Sequence, residues 1–169
     1  CDDEQMVNDM KNYLEVIAPE RKNIVQFYDS HIPLLEYYNV EKQLKQSFGK
    51  HVNIPSSKGA YLVIEHTEAL HVVDVNSGNN ISSASKEHAL NVNKMAATEI
   101  ARQLRLRDMG GIIVVDFIDM PNPDHRKELY EHLREEMKRD KAKHKILPPS
   151  KFGLIQITRQ RVRPEKKID

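Results

Sequence analysis

The amino-acid sequence predicts an α/β protein: an α+β mixed sheet covered by helices and preceded by a mainly helical segment. Two short strand-like runs, 60–64 and 71–75, are followed by a helical pattern at 87–108 and an apolar run at 112–115. A second helical pattern and a strand near Phe152–Thr158 complete the order β-β-α-β-α-β. Strands that alternate with helices in this way indicate a sheet with helices packed on it.

The first part of the chain is predicted to be mainly helical. In Asp2–Ile17 apolar residues recur every three or four positions, and Leu34–Phe48 contains a second helical stretch. The loop at 54–59 combines Pro, Ser and Gly between periodic segments, which is typical of a boundary. The sequence therefore predicts two parts, 1–55 and 56–169.

The second part begins with two runs that are close enough in sequence for a hairpin-like connection. The helix at 87–108 is predicted to end at Gly110-Gly111, because glycine tolerates the left-handed conformation found at helix ends. The run at 112–115 is apolar throughout, which is typical of a strand buried on both faces.

The last helix is predicted from its first residues. Asn122 offers an N-cap and Pro123 a first-turn proline, and the helical pattern then extends to about His144. The strand near Phe152–Thr158 follows.

Composition limits the classes of function. Apolar residues make up 39% and charged residues 30% of 169 residues, and no apolar run is long enough to span a bilayer. The single cysteine forms neither an internal disulfide nor a Cys-x-x-Cys zinc pair, so a reducing cytoplasm is the expected setting. Because the chain begins with Cys1 rather than Met, we expect it to be part of a larger protein.

The end of the chain is basic. From Arg134 onward bases outnumber acids. This excess of positive charge suits either a polyanionic partner or a solvated helix face followed by a polar tail.

Two aspartates stand where predicted strands give way to loops. Asp74 lies in Val-Val-Asp-Val-Asn-Ser-Gly, and Asp116 follows Ile-Ile-Val-Val. If the two strands are neighbours, the carboxylates can share one hard cation, for which Mg²⁺ is the natural choice. Asp119 is either a further ligand, a salt-bridge partner or a loop residue, and Asn76 either caps a turn or orients a phosphate. Taken alone, an aspartate at the end of a strand is more often a turn former or a cap than a catalytic residue.

Other catalytic chemistries have less support. The eight histidines include no His-x-x-x-His pair around an acid, and Ser77-Gly78 belongs to neither a nucleophile elbow nor a Walker-type loop. Metal-assisted cleavage of a phosphodiester is therefore the best physical fit.

Several motifs resemble one family. The chain resembles the ribonuclease E/G family in four long motifs and in several shorter ones along nearly its whole length: Thr67–Leu70, Asp74–Gly78, Glu99–Asp108, Val115–Met120, Phe152–Leu154, Thr158–Arg161, Pro19–Arg21 and Tyr28–Ser30. By this resemblance, residues from about 56 onward correspond to the catalytic deoxyribonuclease-I-like subdomain, and residues 1–55 to part of the ribonuclease-H-like subdomain.

The resemblance also implies an activity. Asp74 and Asp116 match the metal-binding aspartates, and Asn76 matches the asparagine that positions the scissile region. The implied reaction is Mg²⁺-dependent hydrolysis of single-stranded RNA, with Mn²⁺ as a substitute ion, leaving a 5′-phosphate and a 3′-hydroxyl in rRNA and mRNA processing and decay. Relatives form homo-oligomers, and their zinc-linking cysteine pair has no counterpart in this stretch. We expect the stretch alone to bind RNA weakly and to cleave it slowly.

Five arginines are candidates for contacts with RNA phosphates: Arg102, Arg105, Arg107, Arg159 and Arg161. Such contacts would position RNA without reading its sequence. The alternative is salt bridging to Glu99, Asp108 or the acidic first segment. The chain departs from the family in two places. A basic residue commonly follows the Asp-Val-Asn-Ser-Gly motif in relatives, whereas Asn79 and Asn80 follow it here. Lys94 occupies a helix position that is usually apolar.

Two competing functions remain open. The chain can be a non-catalytic RNA-binding or assembly segment that has kept the fold, or a metal phosphoesterase that acts on DNA. Replacement of Asp74 or Asp116 by Asn separates the first of these from a nuclease, and competition with single-stranded DNA addresses the second.

Overall fold

The computed structural model describes residues 1–78 and 86–161, and for Lys86 the backbone only. The chain forms two compact units, Cys1–Gln46 and Ser47–Asp169. Asn79 and Asn80 lie outside the described residues. In the described part, no helix combines the length and apolar character that a bilayer crossing requires.

The first unit is helical, as the sequence predicts. Its helix α1 spans Glu4–Ile17 and begins at the N-cap Asp3, whose side chain accepts a 2.8 Å hydrogen bond from the Met6 N–H. A 3₁₀ helix at Pro19–Ile24 and the short helix α2 at Leu34–Tyr37 follow. Helix α3, Val40–Phe48, leads into the second unit.

The second unit is built on a six-stranded sheet in the order β1-β2-β3-β4-β6-β5. The strand bounds are β1 His51–Asn53, β2 Tyr61–His66, β3 Leu70–Asn76, β4 Gly111–Asp116, β5 His144–Ile146 and β6 Ile155–Arg159. The β3–β4 pair is parallel and the other pairs are antiparallel. Helix α4, Lys86–Leu106, connects the parallel pair, and helix α5, Pro123–Met137, follows β4. The mixed α/β class predicted from the sequence is confirmed.

The core lies on one face of the sheet. Successive strand residues point to opposite faces, and one set is buried in a single cluster with apolar residues of α4 and α5. That cluster includes Leu62, Val73, Val75, Ile113, Val115, Ile155 and Ile157 from the strands and Ile100, Leu104, Leu129, Leu133 and Met137 from the helices. We call the opposite side the open face. It carries Val63, Val72 and Val114, which are half-buried, and the exposed residues Asp74 and Asp116.

Three local predictions are wrong. The 112–115 run is not buried on both faces: Ile112 is 49% exposed, because the helical core covers only one side of β4. The left-handed residue at the end of α4 is Asp108, with φ 51°, and not a glycine. Helix α5 ends at Met137 and not near His144, since the Asp140 side chain accepts a hydrogen bond from the Ala142 N–H and turns the chain toward β5.

Two short strands were not predicted from the sequence. β1 and β5 have three residues each, too few for a periodic pattern to develop. Because β1 pairs with β2, the second unit starts before residue 56. The assignment of the two parts to family subdomains stays a prediction.

Candidate active site

The sheet brings Asp74 and Asp116 side by side. They are paired residues in the parallel β3–β4 ladder, so their backbones are about 4.8 Å apart, the usual spacing between strands. Residues in register on neighbouring strands point to the same face, and both aspartates are exposed on the open face. The strands are neighbours, as the sequence argument requires. The roles of the two residues as metal ligands stay predictions.

Asn76 holds one of these carboxylates. It lies two residues after Asp74 and therefore on the same face of β3, and its amide donates a 2.8 Å hydrogen bond to Asp74 Oδ2. This bond restricts the rotation of the Asp74 carboxylate. Asn76 thus lies where it can orient a ligand group at the carboxylate pair.

The loop after β3 is shaped by a close backbone approach. Gly78 has φ +68°, and a Cβ built on it would lie 2.3 Å from the Gly59 carbonyl oxygen. Any side chain at position 78 would therefore push the loop away from the 57–59 turn. The glycine that ends the Asp-Val-Asn-Ser-Gly motif is required because the two loops touch.

Asn93 is a buried residue beside the site that the sequence analysis missed. It is fully buried on α4, and its amide makes two hydrogen bonds with the backbone of Ile118, donating to the carbonyl oxygen at 2.8 Å and accepting from the N–H at 3.0 Å. The segment after Asp116 is thereby fixed to the helix. The only signal in the sequence was a polar residue within the apolar stripe of this helix, between Leu90 and Ala97.

Asp119 lies beside a small cavity rather than between the two strands. The cavity has a volume of about 100 Å³, and its lining includes Asp116, Asp119, Arg126 and Phe152. Within residues 1–78 and 86–161, no group of three or more His, Cys, Asp or Glu side chains could hold a metal ion together. Asp119 therefore does not complete a three-acid cluster with the paired aspartates, and a role for it around the metal stays a prediction.

The paired carboxylates fit a magnesium ion better than a softer metal. Mg²⁺ in enzymes commonly takes one or two carboxylates and fills its other positions with water and phosphate oxygens. Two exposed aspartates with an adjacent amide supply only oxygen ligands and leave room for solvent and substrate, whereas Zn²⁺ sites are usually built from nitrogen and sulfur ligands.

Two of the candidate arginines are held inside the fold. Arg107 donates at 2.7–2.8 Å to Gln103 Oε1 and to the carbonyls of Ser47 and Gly49, and it lies over the Phe48 ring. Arg159, whose side chain is 4% exposed, binds Asp108 at 2.7 Å and Asp140 at 2.6 Å.

Arg107 and Arg159 also lie toward the end of the sheet opposite to the carboxylate pair. Arg159 is paired with Gly111, the first residue of β4, whereas Asp116 is the last. At about 3.3 Å per residue the two ends of β4 are about 16 Å apart.

The remaining three arginines lie near this far end. Arg102 is paired with Glu99 through three hydrogen bonds, the structural alternative that the sequence left open. Arg105 is half-buried, and Arg161 is exposed just after β6. Contact of any of the five with RNA stays a prediction, but the geometry favours structural roles for Arg102, Arg107 and Arg159.

Lys94, the unusual residue in the α4 stripe, has a partner on the neighbouring helix. Its ammonium group forms an ion pair with Glu128 of α5. The hydrogen bond from Lys94 and its positive charge lower the pKa of the exposed Glu128 carboxyl from its ordinary value. The lysine thus links α4 to α5 at the surface, which accounts for a charge at this position.

The fold and the carboxylate pair define a mixed α/β domain with an acidic site at the carboxyl ends of two parallel strands. The model of the Ribonuclease E/G family matches residues 1–162. Ribonuclease E of Haemophilus influenzae is 41% identical over 155 residues, 91% of this chain and 16% of the relative. The chloroplastic Ribonuclease E/G-like protein of Arabidopsis thaliana is 41% identical over 96% of this chain and 16% of the relative. Ribonuclease G of Salmonella typhimurium is 38% identical over 86% of this chain and 29% of the relative.

The chain belongs to the ribonuclease E/G family. It spans about one-sixth of the length of the Haemophilus influenzae and Arabidopsis thaliana relatives. The match covers both units of the structure.

Proposed function

We propose that this chain is the catalytic region of a magnesium-dependent endoribonuclease that hydrolyses single-stranded RNA in rRNA and mRNA processing and decay. The observation that carries the proposal is the register of Asp74 with Asp116 on neighbouring parallel strands. Family membership supplies the reaction class, because the relatives are named ribonucleases.

Asp74 and Asp116 would hold the ion between them. A bound Mg²⁺ supplies electrostatic stabilisation of a phosphate and a water of lowered pKa. Asn76 restricts the rotation of the Asp74 carboxylate through its 2.8 Å hydrogen bond. Asn93 keeps the segment beyond Asp116 in place, so the second carboxylate is presented on a fixed backbone.

The bond that breaks determines the products. When water attacks phosphorus and the 3′-oxygen of the preceding nucleotide leaves, the oxygen takes a proton and the products are a 3′-hydroxyl and a 5′-phosphate. The ribose 2′-hydroxyl takes no part in this step. Mn²⁺, which accepts the same oxygen ligands, is proposed as a substitute ion. We further propose that the protein acts in the cytoplasm and as a homo-oligomer in its full-length form.

The test replaces each aspartate by its uncharged isostere in the full-length protein. Asp74→Asn and Asp116→Asn are each expected to lower the rate of single-stranded RNA cleavage by more than about 100-fold, since loss of a residue that only supports a metal ligand already costs about 10- to 100-fold. Asn76→Ala should fall in that smaller range. RNA binding, measured by fluorescence anisotropy, should change little.

Glu65→Gln is the matched control. Glu65 is an exposed acid on the same open face, but it lies opposite Val72 and not opposite an aspartate, and its carboxylate is paired with Lys50. The Glu65→Gln protein should therefore cleave RNA at the rate of the unaltered protein. Unchanged cleavage in both aspartate variants would contradict the proposal and favour a non-catalytic RNA-binding segment. Preferential cleavage of single-stranded DNA would instead favour the DNA phosphoesterase.

A further inference from the structure

Phe152 is an exposed aromatic residue held in place by an ordered turn. Its side chain is 89% exposed, although burying a phenylalanine typically stabilises a fold by about 1.5–3 kcal/mol. The Ser150 hydroxyl accepts hydrogen bonds from the N–H groups of Phe152 and Leu154, both at 3.2 Å. The Ser150 N–H in turn donates to the Leu154 carbonyl at 2.9 Å. The turn thus fixes the direction in which the ring projects.

This turn lies next to the carboxylate pair. In the β4–β6 ladder Val115 is paired with Ile155, and continuing that register by one residue places Leu154 beside Asp116. The small cavity described above is lined by both Asp116 and Phe152. The ring is therefore a neighbour of one of the two proposed metal ligands.

Beyond the ring lies a wider groove with basic walls. It has a volume of about 670 Å³, within the range of ligand sites, and Phe152 lines it together with three bases, Arg126, Lys127 and Lys151, and one acid, Asp119. Arg126 is anchored by hydrogen bonds from Nη1 to the carbonyls of Met120, at 2.5 Å, and Pro121, at 3.0 Å. Its guanidinium is thus fixed at the groove.

An exposed ring flanked by cations suits one class of ligand. Single-stranded nucleic acid binds by stacking bases on aromatic side chains while basic residues follow the backbone. A protein partner would bury a larger continuous apolar surface than one phenylalanine. The position of the ring at the carboxylate pair further identifies the ligand as the strand whose phosphate reacts there.

We propose that Phe152 stacks on a nucleobase adjacent to the scissile phosphate and so sets the position of the RNA strand over Asp74 and Asp116. This inference rests on the proposed function. Phe152 is a substrate-binding residue, and Arg126, Lys127 and Lys151 bind the phosphates that follow along the groove. The stacking is sequence-tolerant, because every base offers a π-face.

The first experiment measures stacking without cleavage. In the full-length protein carrying Asp74→Asn, single-stranded RNA with 2-aminopurine at successive positions is titrated against Phe152→Ala, Phe152→Leu and Phe152→Tyr. One 2-aminopurine position is expected to lose fluorescence on binding to the Phe152 and Tyr proteins, and to keep it with Ala and Leu. Leucine retains apolar area but lacks the π-face, so it separates stacking from simple burial.

The second experiment measures catalysis with Asp74 intact. Phe152→Ala and Phe152→Leu are expected to raise KM by about 5- to 150-fold, the range that corresponds to loss of one base stack, with kcat little changed. Phe152→Tyr should retain the original KM. Thermal unfolding should be unaffected, because the ring is exposed. Tyr13→Ala, which removes another exposed aromatic ring, is the control and should leave KM unaltered.

Equal quenching or equal KM in Phe152→Leu and Phe152→Tyr would overturn the stacking proposal while leaving the nuclease proposal intact. Conversely, if Asp74→Asn and Asp116→Asn still cleave RNA, the nuclease proposal fails, and a stacking signal that depends on Phe152 would still stand. Absence of any position-specific quenching in the Phe152 protein overturns the inference outright.

Discussion

Removing the Arg159 guanidinium is expected to destabilise the second unit strongly. Arg159 donates to Asp140 at 2.6 and 3.1 Å, to Asp108 at 2.7 Å and to the Met109 carbonyl at 2.9 Å. The side chains are only 4%, 3% and 13% exposed for Arg159, Asp140 and Asp108. Arg159→Met preserves most of the volume and removes the buried cation that binds both carboxylates, a change that typically costs about 3–5 kcal/mol.

The magnitude can be read from thermal and denaturant unfolding. For a chain of this size about 1 kcal/mol shifts Tm by about 2–4 °C, so the variant should melt about 6–20 °C lower. Lys145→Met is the matched control, since Lys145 is an exposed cation on the neighbouring strand β5, paired with Thr158 in the ladder, and most surface changes stay within about 0.5 kcal/mol. An unchanged Tm in Arg159→Met together with weakened RNA binding would refute the structural assignment and restore Arg159 as a phosphate ligand.

Two further predictions concern groups that the fold buries. Asn93→Ala should lower both Tm and kcat for RNA cleavage. The substitution leaves the Ile118 N–H and carbonyl without their hydrogen-bond partner, at a cost of about 1–3 kcal/mol each, and it frees the segment after Asp116. A lower Tm with unaltered kcat would show that this segment does not position the carboxylate. Burial by itself would raise the pKa of Asp140, but the hydrogen bonds from Arg159 and from the Ala142 N–H outweigh it and hold the pKa below the ordinary 3.8. The ionised Asp140 carboxylate therefore stabilises the fold fully above about pH 4–5, and this stabilisation is lost as the pH falls through the lower pKa of the folded state. The difference in unfolding free energy between the unaltered protein and Asp140→Asn, measured by urea unfolding, should be constant near neutrality and shrink only in acid. A difference that grows as the pH falls would contradict the direction of the pKa shift.

The core of the site could be predicted from the sequence because it depends on strand topology. Two aspartates that end apolar runs separated by one helical pattern indicate neighbouring parallel strands, and the ladder places Asp74 opposite Asp116. The relation of Asn76 to Asp74 follows from the period of two along a strand.

The surroundings of the site depend on contacts that no local pattern encodes. Asn93 and Ile118 are 25 residues apart in sequence, and their pairing arises from how α4 packs on the sheet. Phe152 looked like the start of a strand, and only the Ser150 turn shows that it projects outward. The same holds for Arg159, whose basic character suggested a polyanion until the buried carboxylates on either side were seen.

The fold was predictable where the pattern was long and unpredictable where it was short. The strands of five or more residues and the helices α1, α4 and α5 follow from hydrophobic periodicity. The three-residue strands β1 and β5 exist because β2 and β6 offer them an edge. The one-sided burial of β4 also depends on tertiary packing, since an apolar run alone does not say how many layers cover it.

The central claim is that Asp74 and Asp116 jointly bind one divalent ion. Binding of Mn²⁺, followed by electron paramagnetic resonance, in the full-length protein and in Asp74→Asn, Asp116→Asn and Glu65→Gln tests it directly. Each aspartate variant alone should lose a site that competes with Mg²⁺, the double variant should lose no more than either single one, and Glu65→Gln should retain it. Undiminished binding in the double variant would contradict the account.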